Sequence, residues 1–300
     1  MSVQREILPR VSVDFGYFRR WYGNFEVVQN RAVTSADFTQ YSIAVPNDPR
    51  LPRAGQVLGG FYEVNPALAG AVDNYTTFAD NFGSQQEHWN GFDLTINARP
   101  RSGVTIQGGL SWGRLSSDVC AIEASLPETQ LVFGIFAYSR NDCHVDEPFQ
   151  TQAKVLATYL VPKIDVQVGV TFQSAPGPAV AASYFVTAPQ VGLPSFSAAG
   201  VRLLGLVPQV LPQPFTVETA STVQGASQYW PRANQLDLRF SKILRFGTGG
   251  RYRTSINFDM ANALNSSDGL GFNSTYGASW QNVTSIMDAR LLKLSAQFDF

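Results

Sequence analysis

The sequence predicts an all-β fold, a portion of a transmembrane antiparallel β-barrel with about eight long strands, short periplasmic turns and long extracellular loops. Apolar and polar positions alternate along the predicted strands, most of which are roughly 9–14 residues long; this is long for soluble strands of about 5–6 residues and suits membrane strands of about 9–11. No run approaches the roughly 18 uninterrupted apolar residues that a membrane helix needs. Only 15% of the 300 residues are charged, against about 25% in a typical soluble domain.

The predicted strands follow one another along the chain, and each places apolar residues at every second position. Alternate side chains of a strand point to opposite faces of the sheet, so each segment has an apolar and a polar side. In one of them, Leu156 and Leu160 interrupt the polar side. The alternation is clearest at 11–18, 91–98, 104–112, 152–161, 166–173, 235–241, 255–260 and 292–300.

The composition of the two sides separates a membrane barrel from a soluble sheet. The polar sides hold mainly Gly, Ser, Thr, Asn, Gln and Asp, as in a hydrated lumen, and the apolar sides form a uniform band that suits lipid. Aromatic residues at strand ends favour the membrane–water boundary; the alternative is that they cap a soluble core. These residues are Tyr17, Trp21, Tyr22, Trp89, Trp112, Tyr159, Tyr229, Trp230 and Trp280.

The connections alternate between short and long. Short turns are predicted at 100–103, near 162–163 and at 246–250, where FGTGG tolerates positive φ. The long segments are roughly 23–85, 116–148, 175–231 and 265–287, and the Pro- and Ala-rich stretch 175–215 is predicted to be an irregular outer loop. Tight turns at one end and large loops at the other are typical of outer-membrane barrels.

Candidate catalytic and metal-ligating residues are few, because the chain has two histidines. His88 follows Glu87 but no G-x-S-x-G motif accompanies the pair, so we expect no enzyme activity. His144 lies among acidic residues without a recognised ligand spacing, so a solvated acidic loop is favoured over a metal site. No cofactor is expected. A net charge of −1 and the lack of a basic patch give no reason to expect nucleic acid as a partner.

Cys120 and Cys143 are the two cysteines, and both fall in one loop-like region. In an exported protein such a pair suggests a disulfide, whereas in a cytosolic loop both thiols would stay reduced. The first residues, MSVQREILPRVSVDFG, lack the apolar core and cleavage site of a signal peptide. We therefore expect that any export signal lies outside this chain or is absent.

Several stretches resemble the end of TonB-dependent outer-membrane receptors, in particular the Oar-like, carboxypeptidase-regulatory-domain group. The most specific are ANQLDLRFSKILRFG, RYRTSINFDMANALNSSDG and STYGASWQNVTSIMDARLLKLSAQFDF. Upstream, the resemblance extends to QREILPRVSVDFGYFRRWYGNF, EHWNGFDLTINAR and the Cys-bearing loop before PFQTQAKVLATY, and so covers nearly the whole chain.

The resemblance implies an outer-membrane barrel that binds and imports a large ligand, gated by a plug and energised through TonB. It also implies that Phe298 and Phe300 belong to a C-terminal signal read by the barrel-assembly machinery. The family's barrels have about 22 strands, so residues 1–300 are expected to be the C-terminal part, without plug, TonB box or signal peptide. The expected partners are outer-membrane lipid, the remaining strands and plug, the assembly machinery and, only through the missing N-terminal part, TonB.

The leading hypothesis is a segment of such a receptor in the outer membrane of a Gram-negative-type bacterium. The alternatives are a self-closed small barrel with partner-binding outer loops and no transport, an outer-membrane enzyme, and a soluble β-sandwich that binds a partner. In an exported protein Cys120 and Cys143 are expected to form a disulfide that staples the second outer loop. Six polar residues are candidates to line a passage: Asp14, Asp93, Gln107, Asp237, Arg239 and Asp259.

Overall fold

The structure, a computed structural model, describes residues 1–51, 53–132, 136–137, 139–193, 199–204, 229–247 and 252–299. Its strands are, in chain order, β1 (Ser2–Leu8), β2 (Val11–Tyr22), β3 (Glu26–Asn30), β4 (Phe38–Ala44), β5 (Val57–Val64), β6 (Asn74–Phe78), β7 (Gln86–Ala98), β8 (Val104–Asp118), β9 (Leu131–Val132), β10 (Phe136–Ala137), β11 (His144–Asp146), β12 (Gln150–Val161), β13 (Val166–Ala175), β14 (Ala182–Val186), β15 (Ala199–Leu204), β16 (Ala233–Phe246), β17 (Tyr252–Ala261), β18 (Gly269–Phe272), β19 (Val283–Ile286) and β20 (Leu291–Asp299).

Helices are short in the described part of the chain. The α-helices are α1 (Cys120–Ser125) and α2 (Ala188–Val191). Single 3-10 turns occupy Ser35–Asp37, Pro66–Leu68, Ala79–Asn81, Pro127–Gln130 and Arg140–Asp142. Within the described ranges, no helix has the length and apolar content needed to cross a bilayer.

One large antiparallel sheet dominates the fold, in the order β1-β2-β7-β8-β12-β13-β16-β17-β20, with β11 paired to β8. Each long strand pairs with the next long strand in sequence, so the sheet is a meander. This confirms the predicted all-β antiparallel architecture. The sequence predicted about eight long strands and the path has nine. The additional strand is β1, where Arg5 lies between Val3 and Ile7 and interrupts the apolar side.

The register gives the sheet two chemically distinct faces. Residues directly opposite on neighbouring strands point to the same side. Asp14 lies opposite Thr95, and Arg239 lies opposite both Gly169 and Asp259. We call the side that carries these residues the polar face. The apolar face carries the intervening positions, including Val13, Phe15, Leu94, Leu110, Val155, Val170, Phe240, Phe258 and Leu294.

The apolar face is exposed instead of buried in a core. Side chains from widely separated strands have large exposed fractions: 42% for Phe15, 39% for Phe240 and 76% for Leu294. Soluble monomers rarely expose contiguous apolar patches larger than a few hundred Å². A band that follows the sheet from β2 to β20 therefore needs an apolar surrounding.

The predicted alternation of short and long connections is confirmed. At one end of the sheet, β1 joins β2 through two residues, one of them Arg10 at φ 65°, and β12 joins β13 through a turn with Lys163 at φ 72°. The predicted turn at 246–250 is described as far as Gly247, and 248–250 lie outside the described residues. At the other end lie the first to fourth long connections, 23–85, 119–149, 176–232 and 262–290.

The long connections fold into a second layer with its own core. Tyr41 and Phe61 of the first connection pack with Val180 of the third and Trp280 of the fourth. The indole Nε1–H of Trp280 donates to the carbonyl of Ala181 at 2.8 Å. Trp280 is thus buried in this core, and its assignment to a membrane-boundary belt is wrong.

Two further contacts connect the second connection to this layer. Ile122 and Leu126 pack with Val27 of the first connection, and Arg53 pairs with Asp142 at 2.5 Å. The stretch predicted as an irregular loop at 175–215 contains β14, α2 and β15, so that prediction is wrong for its described part. Its residues 194–198 and 205–215 lie outside the described residues.

Both outer strands of the main sheet have one free edge among the described residues. β1 pairs with β2 alone, and β20 pairs with β17 alone. Unpaired N–H and C=O groups along an edge need partners, and in hydrocarbon they cost several kcal/mol each.

Candidate functional site

The six predicted lumen-lining residues all lie on the polar face. Asp14, Asp93 and Gln107 are on β2, β7 and β8, towards one side of the sheet. Asp237, Arg239 and Asp259 are together on β16 and β17. The structure therefore places the six side chains on one surface, in two groups. Whether that surface lines a passage stays a prediction.

Arg239 and Asp259 form an ion pair between β16 and β17. The guanidinium donates two hydrogen bonds to the carboxylate, one of them from Nη2 to Oδ2 at 3.0 Å. The side chain of Arg239 keeps 59% of its surface exposed. Exposed ion pairs contribute only about 0–1 kcal/mol to stability, so this pair does little to hold the strands together. Its main effect is to place charged, hydrated groups on the polar face.

Asp237 has a structural role at the base of the fourth connection. Its carboxylate accepts hydrogen bonds from the backbone N–H of Asn262 at 2.8 Å and from Gln235 Nε2 at 3.0 Å. Asn262 has φ 48°. Its side-chain nitrogen Nδ2 donates to the backbone carbonyls of Ser266 and Asp288 at 2.8 Å each. The arrangement fixes where the chain leaves β17.

Asp93 accepts a hydrogen bond from Ser111 Oγ at 2.6 Å across the β7–β8 pair. Nearer the β20 edge of the sheet, on the same polar face, a concave surface of about 530 Å³ follows β13, β16 and β17. Its lining includes Asp237, Arg239 and Asp259. Charged side chains that face water, such as these three, are suited to a water-filled space.

A second concavity of about 450 Å³ lies at the long-connection end of the polar face; we call it the upper cavity. Trp89, Glu147, Gln150, Gln152 and Tyr229 are among its lining residues. Sequence reasoning placed Trp89 in a membrane-boundary belt, which is wrong, because it shares the polar face with Asp93. Its even spacing from Asp93 was the signal that could have located it.

Glu147 is a buried carboxylate in the upper cavity, with 7% of its surface exposed. Its backbone N–H donates to the carbonyl of Leu115 at 2.9 Å. Burial, reinforced by the nearby charge of Glu87, raises the pKa of the Glu147 carboxyl to about 7. The sequence does not single out Glu147, because its burial depends on residues that are distant in sequence, such as Tyr229.

Cys120 and Cys143 are joined as a disulfide, with their Cα atoms 4.9 Å apart. The link lies in the second connection, as expected from the sequence, and joins the first residue of α1 to the residue before β11. The backbone N–H of Val119 donates to the carbonyl of Cys143 at 3.1 Å beside it. The disulfide thus closes the base of this connection onto the end of β8.

The two histidines lie in different surroundings. Residues Glu87 and His88 are adjacent on β7 and point to opposite faces, so they do not form a catalytic pair. His144 lies between Asp118 at 3.1 Å and Asp146 at 3.4 Å. Partial burial lowers the pKa of His144, but the hydrogen bonds to Asp118 and Asp146 and the negative charges of the two carboxylates together outweigh it, so the pKa is raised. Within the described ranges no group of His, Cys, Asp and Glu is placed to hold a metal ion.

Of the two residues assigned to a C-terminal assembly signal, Phe298 lies opposite Thr254 on β20 and is 66% exposed on the apolar face. Phe300 lies outside the described residues. An exposed aromatic side chain near the end of the last strand is compatible with either lipid or a partner protein.

Comparisons with known proteins give structural likeness without sequence likeness. No protein-family model matches the chain, and no curated protein matches it. Among solved structures it is similar to the outer membrane transporter YddB from Escherichia coli, with 13% identity and a TM-score of 0.43 over 98% of this chain and 31% of that one. It is also similar to a chain of the FpvAI–pyocin S2 complex, with 13% identity and a TM-score of 0.43 over 100% of this chain and 27% of that one. The chain thus spans less than a third of either protein.

Proposed function

We propose that this chain forms part of the wall of an outer-membrane β-barrel that binds a large ligand at its long-connection end and imports it. The observation that carries the proposal is the pair of faces on the main sheet. One face is a continuous exposed apolar band, and the other is polar and hydrated. A barrel with lipid outside and water inside satisfies both faces at once.

Strand length supports the same placement. The paired strands β7, β8, β12 and β16 have 13, 15, 12 and 14 residues. A tilted strand crosses the hydrocarbon with about 9–11 residues, so these strands can cross and still extend beyond it. The long connections then lie on the extracellular side and offer their folded layer for ligand contact.

The free edges of β1 and β20 favour a larger barrel over a small self-closed one. Among the described residues these two strands do not pair with each other. We propose that further strands bridge them, as in the receptors that the sequence resembles, whose barrels have about 22 strands. A plug and coupling to TonB belong to that same proposal and would come from elsewhere in the complete receptor.

Single cysteines on neighbouring residues test the barrel wall. Val168→Cys and Val170→Cys point to the apolar face, whereas Gln167→Cys and Thr171→Cys point to the polar face. In isolated outer membranes, a water-soluble maleimide should label the polar-face cysteines and leave the apolar-face cysteines unmodified. Equal labelling at all four positions would contradict the proposal.

A second measurement separates the leading proposal from the self-closed alternative. The purified chain in detergent is run on a gel with and without heating, since closed barrels migrate differently before and after unfolding. A heat-modifiable form of the 300-residue chain alone would favour the small barrel with partner-binding loops. A chain that shows this behaviour only with additional strands supports the larger barrel.

A further inference from the structure

The upper cavity contains an aromatic ring laid flat on the sheet. A Cβ atom added to Gly91 would come within 1.9 Å of Trp89 Cη2, and one added to Gly113 within 2.2 Å of its Cζ2. The indole of Trp89 therefore occupies the space that side chains at these two glycines would fill. One ring face rests on the backbone of β7 and β8, and Trp89 also lines the cavity.

A carboxylate without a partner shares this cavity. The side chain of Glu147 is more than nine-tenths buried, and it makes no hydrogen bond or ion pair with any group that the structure describes. Arg114 is the one basic residue among the described lining residues. Its guanidinium lies 5.3 Å from the ring of Phe149, which contacts Phe92 of the apolar face. Its guanidinium is therefore directed to the apolar face, whereas Glu147 lies at the polar face.

We propose that the upper cavity binds an organic cation, with an ammonium or guanidinium group held between the Trp89 indole and the Glu147 carboxylate. The proposal rests on the proposed function only in that the polar face must be open to water. It adds a ligand class to the long-connection end of the same surface.

The chemistry of the cavity favours a cation over other ligands. A buried, unpaired carboxylate is costly, and a positive group offsets that cost through charge-assisted hydrogen bonds. A cation within about 6 Å of a Trp face is attracted further by the negative face of the ring. An anion would be repelled by Glu147 and by Glu87 nearby. A neutral sugar could stack on Trp89 and bond to Gln150, but it would leave the carboxylate unpaired.

The size of the cavity is compatible with a small ligand group. Its volume of about 450 Å³ falls within the roughly 300–1,000 Å³ of small-molecule sites. Gln150 and Gln152 supply neutral donors and acceptors beside the charged group, and Tyr229 closes one side. A larger ligand could place one cationic group here and extend along the polar face.

The test measures by calorimetry how choline, its uncharged isostere 3,3-dimethyl-1-butanol and methyl glucoside bind to the detergent-purified complete barrel that contains this chain. Choline should bind, and Glu147→Gln and Trp89→Leu should each weaken that binding at least tenfold. Trp21→Leu is the matched control, because Trp21 lies opposite His88 on the other face at the same end of the sheet. It should leave choline binding unchanged.

Three results would overturn the proposal: no choline binding, equal binding of the uncharged isostere, or a sugar that binds more tightly than choline and is unaffected by Glu147→Gln. Near-ultraviolet circular dichroism confirms that each variant is folded, and Glu147→Gln removes a buried charge without changing shape. The cysteine-labelling pattern is independent of this ligand. A labelled wall without choline binding would therefore refute the cation site alone.

Discussion

An arginine in the middle of β13 should destabilise the protein on one face of the sheet and not on the other. Val170 lies opposite Ala157 and Leu238 on the apolar face, and Thr171 lies opposite Leu156 and Asp237 on the polar face. The ten residues of β13 extend about 33 Å at roughly 3.3 Å per residue. At a tilt of about 45° this strand rises about 23 Å. Val170 then lies about 9 Å above the short-turn end, close to the bilayer midplane.

The depth of Val170 sets the size of the effect. An arginine facing lipid near the midplane costs about 2–4 kcal/mol, whereas substitutions facing the lumen cost far less. We expect Val170→Arg to lower the free energy of unfolding by about 2–4 kcal/mol. Thr171→Arg should change it by less than about 0.5 kcal/mol, since its new charge lies beside the Asp237 carboxylate.

Denaturant titration of the protein folded into lipid vesicles measures both variants against the parent chain. The two substitutions add the same side chain to adjacent residues, so propensity and bulk are matched and only the face differs. Equal destabilisation by both variants, or a larger loss from Thr171→Arg, would refute the assignment of the apolar face to lipid.

Three further predictions concern the connections and the C-terminus. Thiol titration under denaturing, non-reducing conditions should find Cys120 and Cys143 fully oxidised, and two free thiols would contradict the staple of the second connection. Burial and Glu87 raise the pKa of Glu147 from 4.5 to about 7, so its contribution to stability is complete below about pH 4.5 and is lost as the pH rises through about 7. Between pH 5 and 8 the titration of Glu147 should lower the free energy of unfolding of the parent chain by up to about 3 kcal/mol, and Glu147→Gln should lack this fall. The same pH profile in the variant and the parent chain would count against this. Deletion of Phe300 should reduce assembly into the membrane, and a normal amount of heat-modifiable protein in that variant would oppose the terminal-signal prediction.

The main sheet could be predicted from the sequence because each strand has one apolar side. In β13, Val166, Val168, Val170 and Phe172 alternate with polar residues, and the structure pairs this strand as expected. β1 was missed because Arg5 interrupts its pattern. The hairpin of β14 and β15 was missed because its strands are short and their pairing depends on packing against other connections, which no local pattern reveals.

The candidate site was only partly predictable. The polar face followed from residue type and spacing, since period-two alternation alone decides which side chains share a face. Trp89 was misplaced because its position near a strand end suits a membrane-boundary residue, whereas its even spacing from Asp93 puts it on the polar face. Glu147 could not be singled out, because its burial results from the return of the chain near Tyr229, 82 positions later by residue number.

The shared core of the long connections constrains how the exposed surface of this protein can evolve. Tyr41, Val180 and Trp280 belong to three different connections and pack in one cluster, so no connection can change length or sequence there without a compensating change in another. Tolerated substitutions in the connections should therefore concentrate outside this cluster. An inserted epitope should be tolerated at the exposed turn at 69–72. Exchange of a whole connection between relatives should destabilise this layer, because it replaces only part of the shared core.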